Sequence, residues 1–330
     1  MTSGGVAGGP GQPRAATAGT QRPSGADVGG GDPVPAIPVD ISGRLEAAGL
    51  PVAHVVGLVA AALAEDLAGG IDVTTAATVP ADEAGHADLV ARSGGVVAGL
   101  PVAEVAFWLA SLESPVERQP RADDGDRVTA GQPVLSVTGP VAAILTAERT
   151  ALNLLTHLSG VATLTRQWVD AVAGTKARIR DTRKTLPGLR ALEKYAVRCG
   201  GGLNHRMSLS DAALIKDNHV AAAGSVTAAF AAVRAQAPAL PLEVECDTLA
   251  QVREALAAGA DLILLDNFRV ADMAAAVRLA GGRALLEASG GLTLAGARAV
   301  AETGVDYLAV GALTHSAPAL DIGLDLVEAG

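Results

Sequence analysis

The feature that most constrains this chain is a recurrence in its C-terminal half. Short apolar runs centred on Val244, Ile263, Leu286 and Leu308 return every 19 to 23 residues, separated by Ala- and Leu-rich stretches of helical spacing. That interval accommodates one strand, one helix and two short connections. Alternating βα units imply parallel strands with right-handed crossovers. Two further runs precede these four, so six strands are predicted: 178–181, 212–216, 242–246, 261–266, 284–288 and 306–310. Six fall short of a complete (β/α)₈ barrel. The expected fold is α/β, an incomplete six-stranded α/β barrel, with a doubly wound open sheet as the alternative.

Three segments are expected: a tail over residues 1–40, a smaller α+β sandwich domain over 41–150, and the barrel over 151–330. The tail has ten Gly, six Pro and no aromatic residue. Such a segment cannot bury enough apolar surface to offset its ordering entropy and is read as disordered. In the second segment, Val55 to Leu67 has helical apolar spacing. Ala87 to Ala91, Val96 to Ala98, Val116 to Gln119 and Val134 to Val137 read as short strands. Pro101 sits where a helix can begin, continuing through Val102 to Leu109. Asp124 to Gly131 resembles the turn-rich hairpins of lipoyl and biotinyl carrier domains. A carrier needs a lysine to modify, and the four lysines (Lys176, Lys184, Lys194, Lys216) all lie elsewhere. It is therefore read as a structural hairpin. Residues 141–173 form a long helical stretch, with Ser159-Gly160 as the place where it would break.

Net charge is −10, from 25 basic and 35 acidic residues, which argues against a nucleic-acid binder with a broad basic surface. A cationic pocket inside an acidic protein remains compatible. Aromatics are 2% of the chain, so the core must be built from Ala, Val and Leu. Cys199 and Cys246 lie 47 positions apart, a spacing that suggests neither a disulfide framework nor a zinc site. No run of 18 apolar residues suggests a membrane span, and Met1 to Gln12 has neither a charged start nor an apolar run. A soluble cytoplasmic protein, bound to neither membrane nor nucleic acid, is expected.

Active sites of such folds form at the C-terminal ends of the strands. The six runs end in Asp181-Thr182-Arg183-Lys184, Lys216-Asp217-Asn218-His219, Glu243-Val244-Glu245, Asp266-Asn267, Glu287-Ala288-Ser289-Gly290-Gly291 and Gly311-Ala312. The first two present cations, joined by His205-Arg206, and the next two carboxylates. The last two present glycines and a serine. Clustered Arg and Lys suit a polyanion, since Arg grips carboxylate or phosphate in bidentate fashion. Carboxylates can hold ribose hydroxyls, a hydrated magnesium ion or a developing cation. Glycines ahead of a helix bring backbone N–H groups to a phosphate. Lys194 and Arg198, four apart on a presumed helix, are read as solvated. His219 is read as a helix cap, and Cys199 and Cys246 as buried apolar residues.

The chain resembles the quinolinate phosphoribosyltransferases, also called nicotinate-nucleotide pyrophosphorylases (carboxylating), over about residues 45 to 325. The resemblance rests on Glu65-Asp66-Leu67 with Asp72-Val73-Thr74-Thr75, and on Glu148-Arg149-Thr150-Ala151-Leu152-Asn153 through Ser159-Gly160-Val161-Ala162-Thr163. It continues in Asp181-Thr182-Arg183-Lys184-Thr185, Pro187-Gly188-Leu189-Arg190, Asn204-His205-Arg206 and Leu214-Ile215-Lys216-Asp217-Asn218-His219. Glu243-Val244-Glu245, Leu265-Asp266-Asn267 and Gly311-Ala312-Leu313-Thr314-His315-Ser316 complete it. Leu186 stands where the family usually has Thr, and Ala309 where it often has Ser.

The resemblance implies transfer of phosphoribosyl from phosphoribosyl pyrophosphate to quinolinate, releasing carbon dioxide and pyrophosphate, with Mg²⁺. It implies that Arg183, His205, Arg206 and Lys216 hold quinolinate together with Arg149, contributed by the second subunit of a homodimer. Thr182 and Lys184 match groups near the phosphoribosyl donor. Glu245 and Asp266 match carboxylates near the ribose, and with Lys184 form the expected catalytic set. Ser289, Gly290, Gly291, Val310, Gly311 and Ala312 match the 5′-phosphate cradle. The metal is expected to be carried by the diphosphate near Glu245 and Asp266, without a direct protein ligand. Two alternatives are a molybdenum-locus paralogue of the same family and a Schiff-base lyase acting through a strand-end lysine such as Lys216.

Overall fold

The computed structural model describes Met1 and residues 36–327. The expected tail lies outside the described residues except at its two ends. Its last two residues, Val39 and Asp40, open the first helix, α1 (Val39–Ala47). Helix α2 (Val52–Leu67) buries Val55, Val59 and Leu63, one face at a spacing of four. In α3 (Val73–Thr78), Asp72 is the N-cap and accepts from the Thr75 N–H at 3.0 Å. The Asp72-Val73-Thr74-Thr75 motif is thus a helix start.

Next come β1 (Ala84–Ala91), β2 (Gly95–Val96), α4 (Leu100–Ala110), β3 (Glu117–Pro120), β4 (Arg127–Val128) and β5 (Pro133–Pro140). Helix α4 is buried from Leu100 through Trp108. Asp124 accepts from the Gly99 and Leu100 N–H groups at 2.9 and 3.0 Å, capping α4 from outside. The 124–131 stretch is therefore structural. It is not a self-contained hairpin, because β4 pairs with β2.

Helix α5 (Val141–Ala171) runs 31 residues without the expected break. Ser159 stays helical and bonds to Ala98 of the neighbouring layer. Gly160 is small because another segment crosses there: a Cβ would meet the Pro318 carbonyl oxygen at 2.1 Å. Close approach of a second backbone, rather than a break, requires this glycine.

The barrel follows as β6 (Arg178–Arg180), α6 (Arg190–Cys199), β7 (Ala213–Ile215), α7 (Asp217–Ala223), α8 (Val226–Gln236), β8 (Leu242–Cys246), α9 (Leu249–Ala257) and β9 (Leu262–Asp266). Then come α10 (Val270–Ala280), β10 (Leu285–Ser289), α11 (Ala297–Glu302), β11 (Tyr307–Ala309) and α12 (Ala312–His315). All pairings are parallel, in the order β6-β11-β10-β9-β8-β7. Strands β6 and β7 are the edges of this sheet, so the barrel is open. A single parallel bridge between Arg180 and Leu203 draws the 203–206 segment to the β6 edge.

One strand is absent from the sequence reading. β12 (Ile322–Val327) pairs antiparallel with β1, from Ala91 opposite Ile322 to His86 opposite Val327. The first sheet has the order β12-β1-β5-β3. The last described residues thus complete the sheet of the 41–150 segment.

Candidate active site

Side chains alternate inward and outward along a strand, and three barrel strands use the alternation to stack two levels. Glu243 and Glu245 on β8, Leu264 and Asp266 on β9, and Glu287 and Ser289 on β10 occupy successive positions of like parity. Glu243 and Glu287 are buried deep, while Glu245, Asp266 and Ser289 sit higher. Above them opens a cavity of about 580 Å³. Thr182, Arg183 and Lys184 line it from the segment after β6, His205 and Arg206 from the gap, and Lys216 from the end of β7. Glu245, Asp266, Ser289, Gly290 and Gly291 complete the rim.

Most of the residues proposed from sequence therefore converge on one cavity. Four do not line it. Arg149 projects from α5 with its side chain 62% exposed, 4.0 Å from Glu148. Val310 is buried. Gly311 lies behind Lys184, whose Cδ would stand 3.0 Å from an added Cβ, and Ala312 opens α12.

The cations are held in different ways. Lys216 Nζ donates to Glu245 Oε2 at 2.6 Å. Arg206 donates to the Ala212 carbonyl at 2.9 Å. The buried Nε of Arg183 has no partner among the described residues. Burial, and then the neighbouring Arg183, lower the pKa of Arg206. Among the described residues these two guanidiniums, both facing one cavity, have no salt-bridge partner, which suits an anionic ligand.

His205 has a defined tautomer in this network. Its Nδ1 accepts from the Arg206 N–H at 2.7 Å, so the proton resides on Nε2, which faces Glu243 Oε2 at 2.7 Å. Glu287 Oε1 lies 3.5 Å from the same nitrogen, and Arg180 donates to Glu287 Oε2 at 2.5 Å. Burial pushes Glu243 and Glu287 each up to about 7 and His205 down to about 4. His205, Glu243 and Glu287 bring donor atoms within 4.8 Å of one another. The Arg180 cation and the His205 proton already serve this cluster. Glu245 and Asp266 are the carboxylates left facing the cavity.

Sequence reasoning missed the support beneath the rim. Asp181 is buried and accepts from Lys194 Nζ at 2.5 Å, Asn204 Nδ2 at 2.6 Å and the His205 N–H at 2.8 Å. Lys194, expected to be solvated, is fully buried, whereas Arg198 is exposed. Asn267 lines the cavity with φ +54°, and Glu287 also lines it. The strand-end position of Asp266-Asn267 was visible in the sequence, but the left-handed turn was not. His219 caps α7 as expected: the Lys216 N–H donates to its Nδ1 at 2.9 Å. Cys246 is buried and Cys199 half-buried.

An open α/β barrel with cations, carboxylates and a glycine turn around one mouth defines a barrel protein whose pocket suits anionic small molecules. The comparisons narrow this class. The N-terminal domain of quinolinate phosphoribosyl transferase matches residues 72–159, and its C-terminal domain matches 161–325. A nicotinate-nucleotide pyrophosphorylase (carboxylating) of Mycobacterium leprae (strain TN) is 58% identical over 268 residues, covering 80% of this chain and 94% of that protein. A quinolinate phosphoribosyltransferase (decarboxylating) of Nicotiana tabacum is 39% identical over 295 residues, covering 84% and 83%. The nicotinate-nucleotide pyrophosphorylase structure from Francisella tularensis superposes with a TM-score of 0.80 at 38% identity, covering 84% of this chain and 98% of that one. The chain belongs to the quinolinate phosphoribosyltransferase family.

Proposed function

We propose that this chain transfers phosphoribosyl from phosphoribosyl pyrophosphate to quinolinate with decarboxylation, yielding nicotinate mononucleotide, carbon dioxide and pyrophosphate for NAD biosynthesis. The observation that carries the reading is the convergence of Arg183, Lys184, Arg206 and Lys216 on one cavity that also presents Glu245 and Asp266. Quinolinate is a pyridine with two adjacent carboxylates, and paired guanidiniums bind carboxylates by charge-assisted hydrogen bonds. Arg183 and Arg206 bind the dicarboxylate from one side and Lys216 from another. His205 gives the pocket a rigid, neutral wall. Thr182 and Lys184 face the diphosphate, and Ser289, Gly290 and Gly291 receive the 5′-phosphate, with Gly311 behind Lys184.

The ring nitrogen forms its bond to C1′ as the C1′–O bond to pyrophosphate breaks. Positive charge develops on the ribose in that step, and Glu245 and Asp266 stabilise it. The bond from ring C2 to its carboxylate then breaks. Carbon dioxide leaves, and the electron pair at C2 takes a proton. Hard carboxylate oxygens suit magnesium that keeps its water shell. Asp266 Oδ2 is engaged by the Asn267 amide and Glu245 Oε2 by Lys216, which among the described residues leaves one oxygen of each for that shell. When bound with the diphosphate, magnesium supplies charge neutralisation to the leaving group.

Arg149 completes the pocket from the second subunit of a homodimer, consistent with its exposure outside its own cavity. The enzyme acts in the cytoplasm; among the described residues no single helix is long and apolar enough to cross a membrane. The Schiff-base alternative is disfavoured at Lys216, because its Nζ is already engaged with Glu245 Oε2 at 2.6 Å. Side-by-side turnover of quinolinate, nicotinate and nicotinamide tests the reading. Quinolinate alone should release carbon dioxide and pyrophosphate in equal amounts. Nicotinate lacks one carboxylate and would leave one of the pocket's half-buried or exposed cations unmatched, so its turnover should be far lower. Comparable turnover of nicotinate defeats the assignment.

A further inference from the structure

Two adjacent residues of α6 carry opposite charges into the interior. Glu193 and Lys194 are both 0% exposed, and neither lines the cavity. Glu193 Oε2 accepts from the Leu186 N–H at 3.1 Å, and its Oε1 lies 2.9 Å from His157 Nε2 on α5. Lys194 Nζ donates to Asp181 Oδ1 at 2.5 Å and to the His205 carbonyl at 2.8 Å. The Lys194 carbonyl accepts from Asn204 Nδ2 at 2.8 Å.

These bonds grip the substrate loops at defined points. The segment bearing Arg183 and Lys184 is held on one side at Asp181, through Lys194, and on the other at Leu186, through Glu193. The segment bearing His205 and Arg206 is held at Asn204 and His205, again through Lys194 and Asp181. One turn of one helix therefore fixes the spacing of the two loops that deliver cations side by side at the β6 edge of the barrel opening.

Stability alone gives a poor account of this arrangement. A buried ion pair returns little net folding energy against well-packed apolar residues of similar size, because both charges must be desolvated. What an ion pair does provide is direction. Lys194 has three donors and Asp181 two acceptor oxygens, so together they fix several partners at once.

We propose that Glu193 and Lys194 are positioning residues. Through Leu186, Asp181 and His205 they set the separation between the Arg183 and Arg206 guanidiniums, and so select a ligand with two adjacent carboxylates. The inference rests on the function proposed above. Binding a dicarboxylate across two loops is sensitive to their spacing. A displacement of about 1 Å can cost roughly a hundredfold in a positioned site.

The test is calorimetric binding of quinolinate and nicotinate to the full chain, with thermal unfolding in parallel. Lys194→Met leaves Asp181 as an unpaired buried carboxylate, so its melting temperature should drop. The double variant Asp181→Asn/Lys194→Met removes both charges and should recover most of that loss. It should still bind quinolinate about 10- to 100-fold more weakly, with nicotinate affinity changed much less. Glu193→Ala should weaken quinolinate similarly, and Glu193→Gln, which keeps an acceptor for Leu186, should rescue it. Should the double variant not fold, the Glu193 pair decides the matter alone. A folded double variant, or a Glu193→Ala variant, with wild-type quinolinate affinity overturns the positioning role. Failure of the wild-type protein to bind quinolinate overturns the proposed function and, with it, the selection described here.

Discussion

His205 Nε2 lies 2.7 Å from Glu243 Oε2 and 3.5 Å from Glu287 Oε1, so one neutral imidazole faces two carboxylates deep in the barrel. Desolvation disfavours the charged form of all three groups. It raises both glutamates to about 7 and lowers the histidine to about 4. The ring is therefore uncharged throughout the neutral range, and substrate charge is left to the arginines and lysines around it.

That arrangement predicts an unusual pH response. A carboxyl group with a folded pKa above its unfolded value stabilises the fold while protonated. Its contribution is complete below about 4.5 and is lost as pH rises to about 7. His205 works in the opposite sense: its contribution is complete above 6.5 and is lost as pH falls towards 4. Glu243→Gln keeps an acceptor for His205 and removes one of two like charges. Relative to wild type, the variant should gain about 1–3 kcal/mol in unfolding free energy between pH 5 and pH 8. Urea unfolding at the two pH values measures this. A pH-independent difference would show that the glutamates titrate normally.

The glycine turn after β10 should be intolerant of a side chain. Gly290 has φ +84°, and a Cβ there would approach Asn267 Oδ1 to 2.3 Å and its backbone nitrogen to 2.9 Å. Asn267 is itself left-handed, and its N–H donates to the Ser289 carbonyl at 2.9 Å. Gly290→Ala should cost about 1–3 kcal/mol in stability through backbone strain. It should also raise the KM for phosphoribosyl pyrophosphate, because Ser289 and Gly291 move with the turn. Denaturation and steady-state kinetics on the same preparation check both effects. Unchanged KM would remove this turn from the phosphate site.

The strand ends were legible in the sequence because parallel βα units bring every C-terminal end to one side, so a residue's place in the repeat is its place in the site. Arg183, Lys216, Glu245, Asp266 and Ser289 all follow that rule. Lys194 does not. Its polar neighbours at a spacing of four are Arg190 and Arg198, one half-buried and one exposed, and nothing local marks it as buried. Its partner Asp181 lies on another element, and such contacts leave no periodic trace. β12 was missed for a related reason. Ile322, Leu324 and Leu326 alternate as a strand should, but the run is short, and its partner β1 lies near the other end of the described chain. Gly160 looked like a helix breaker because glycine signals both flexibility and close approach. The Pro318 carbonyl that decides between them comes from a distant segment.

Gly160→Ala tests that last point. The obstructing atom is a backbone oxygen, which cannot rotate away as a side chain could. Overpacking of this kind should cost about 1–3 kcal/mol. The strain should concentrate where the loop rejoins α5, since the Leu320 N–H donates to the Thr156 carbonyl at 3.0 Å. Amide hydrogen exchange at Leu320 should accelerate in the variant. Wild-type stability with unchanged exchange would mean that the loop is free to retreat from α5.

The placement of Arg149 leads to the most stringent test of the proposed shared site. It stands on α5, outside the cavity of its own chain, whereas Arg206 lines that cavity. If a twofold dimer supplies each Arg149 to the neighbouring cavity, each site needs one residue from each subunit. Arg149→Ala and Arg206→Ala should then each be nearly inactive, because each leaves a substrate carboxylate unmatched. In a mixed dimer, one cavity receives both substitutions and the other receives neither. Mixing and re-equilibrating the two inactive proteins should therefore recover up to about half the wild-type activity per heterodimer, by symmetry. Heterodimers isolated through two different affinity tags give the ratio directly. If they form and remain inactive, Arg149 acts within its own chain or not at all, and the pocket must find its remaining cation elsewhere.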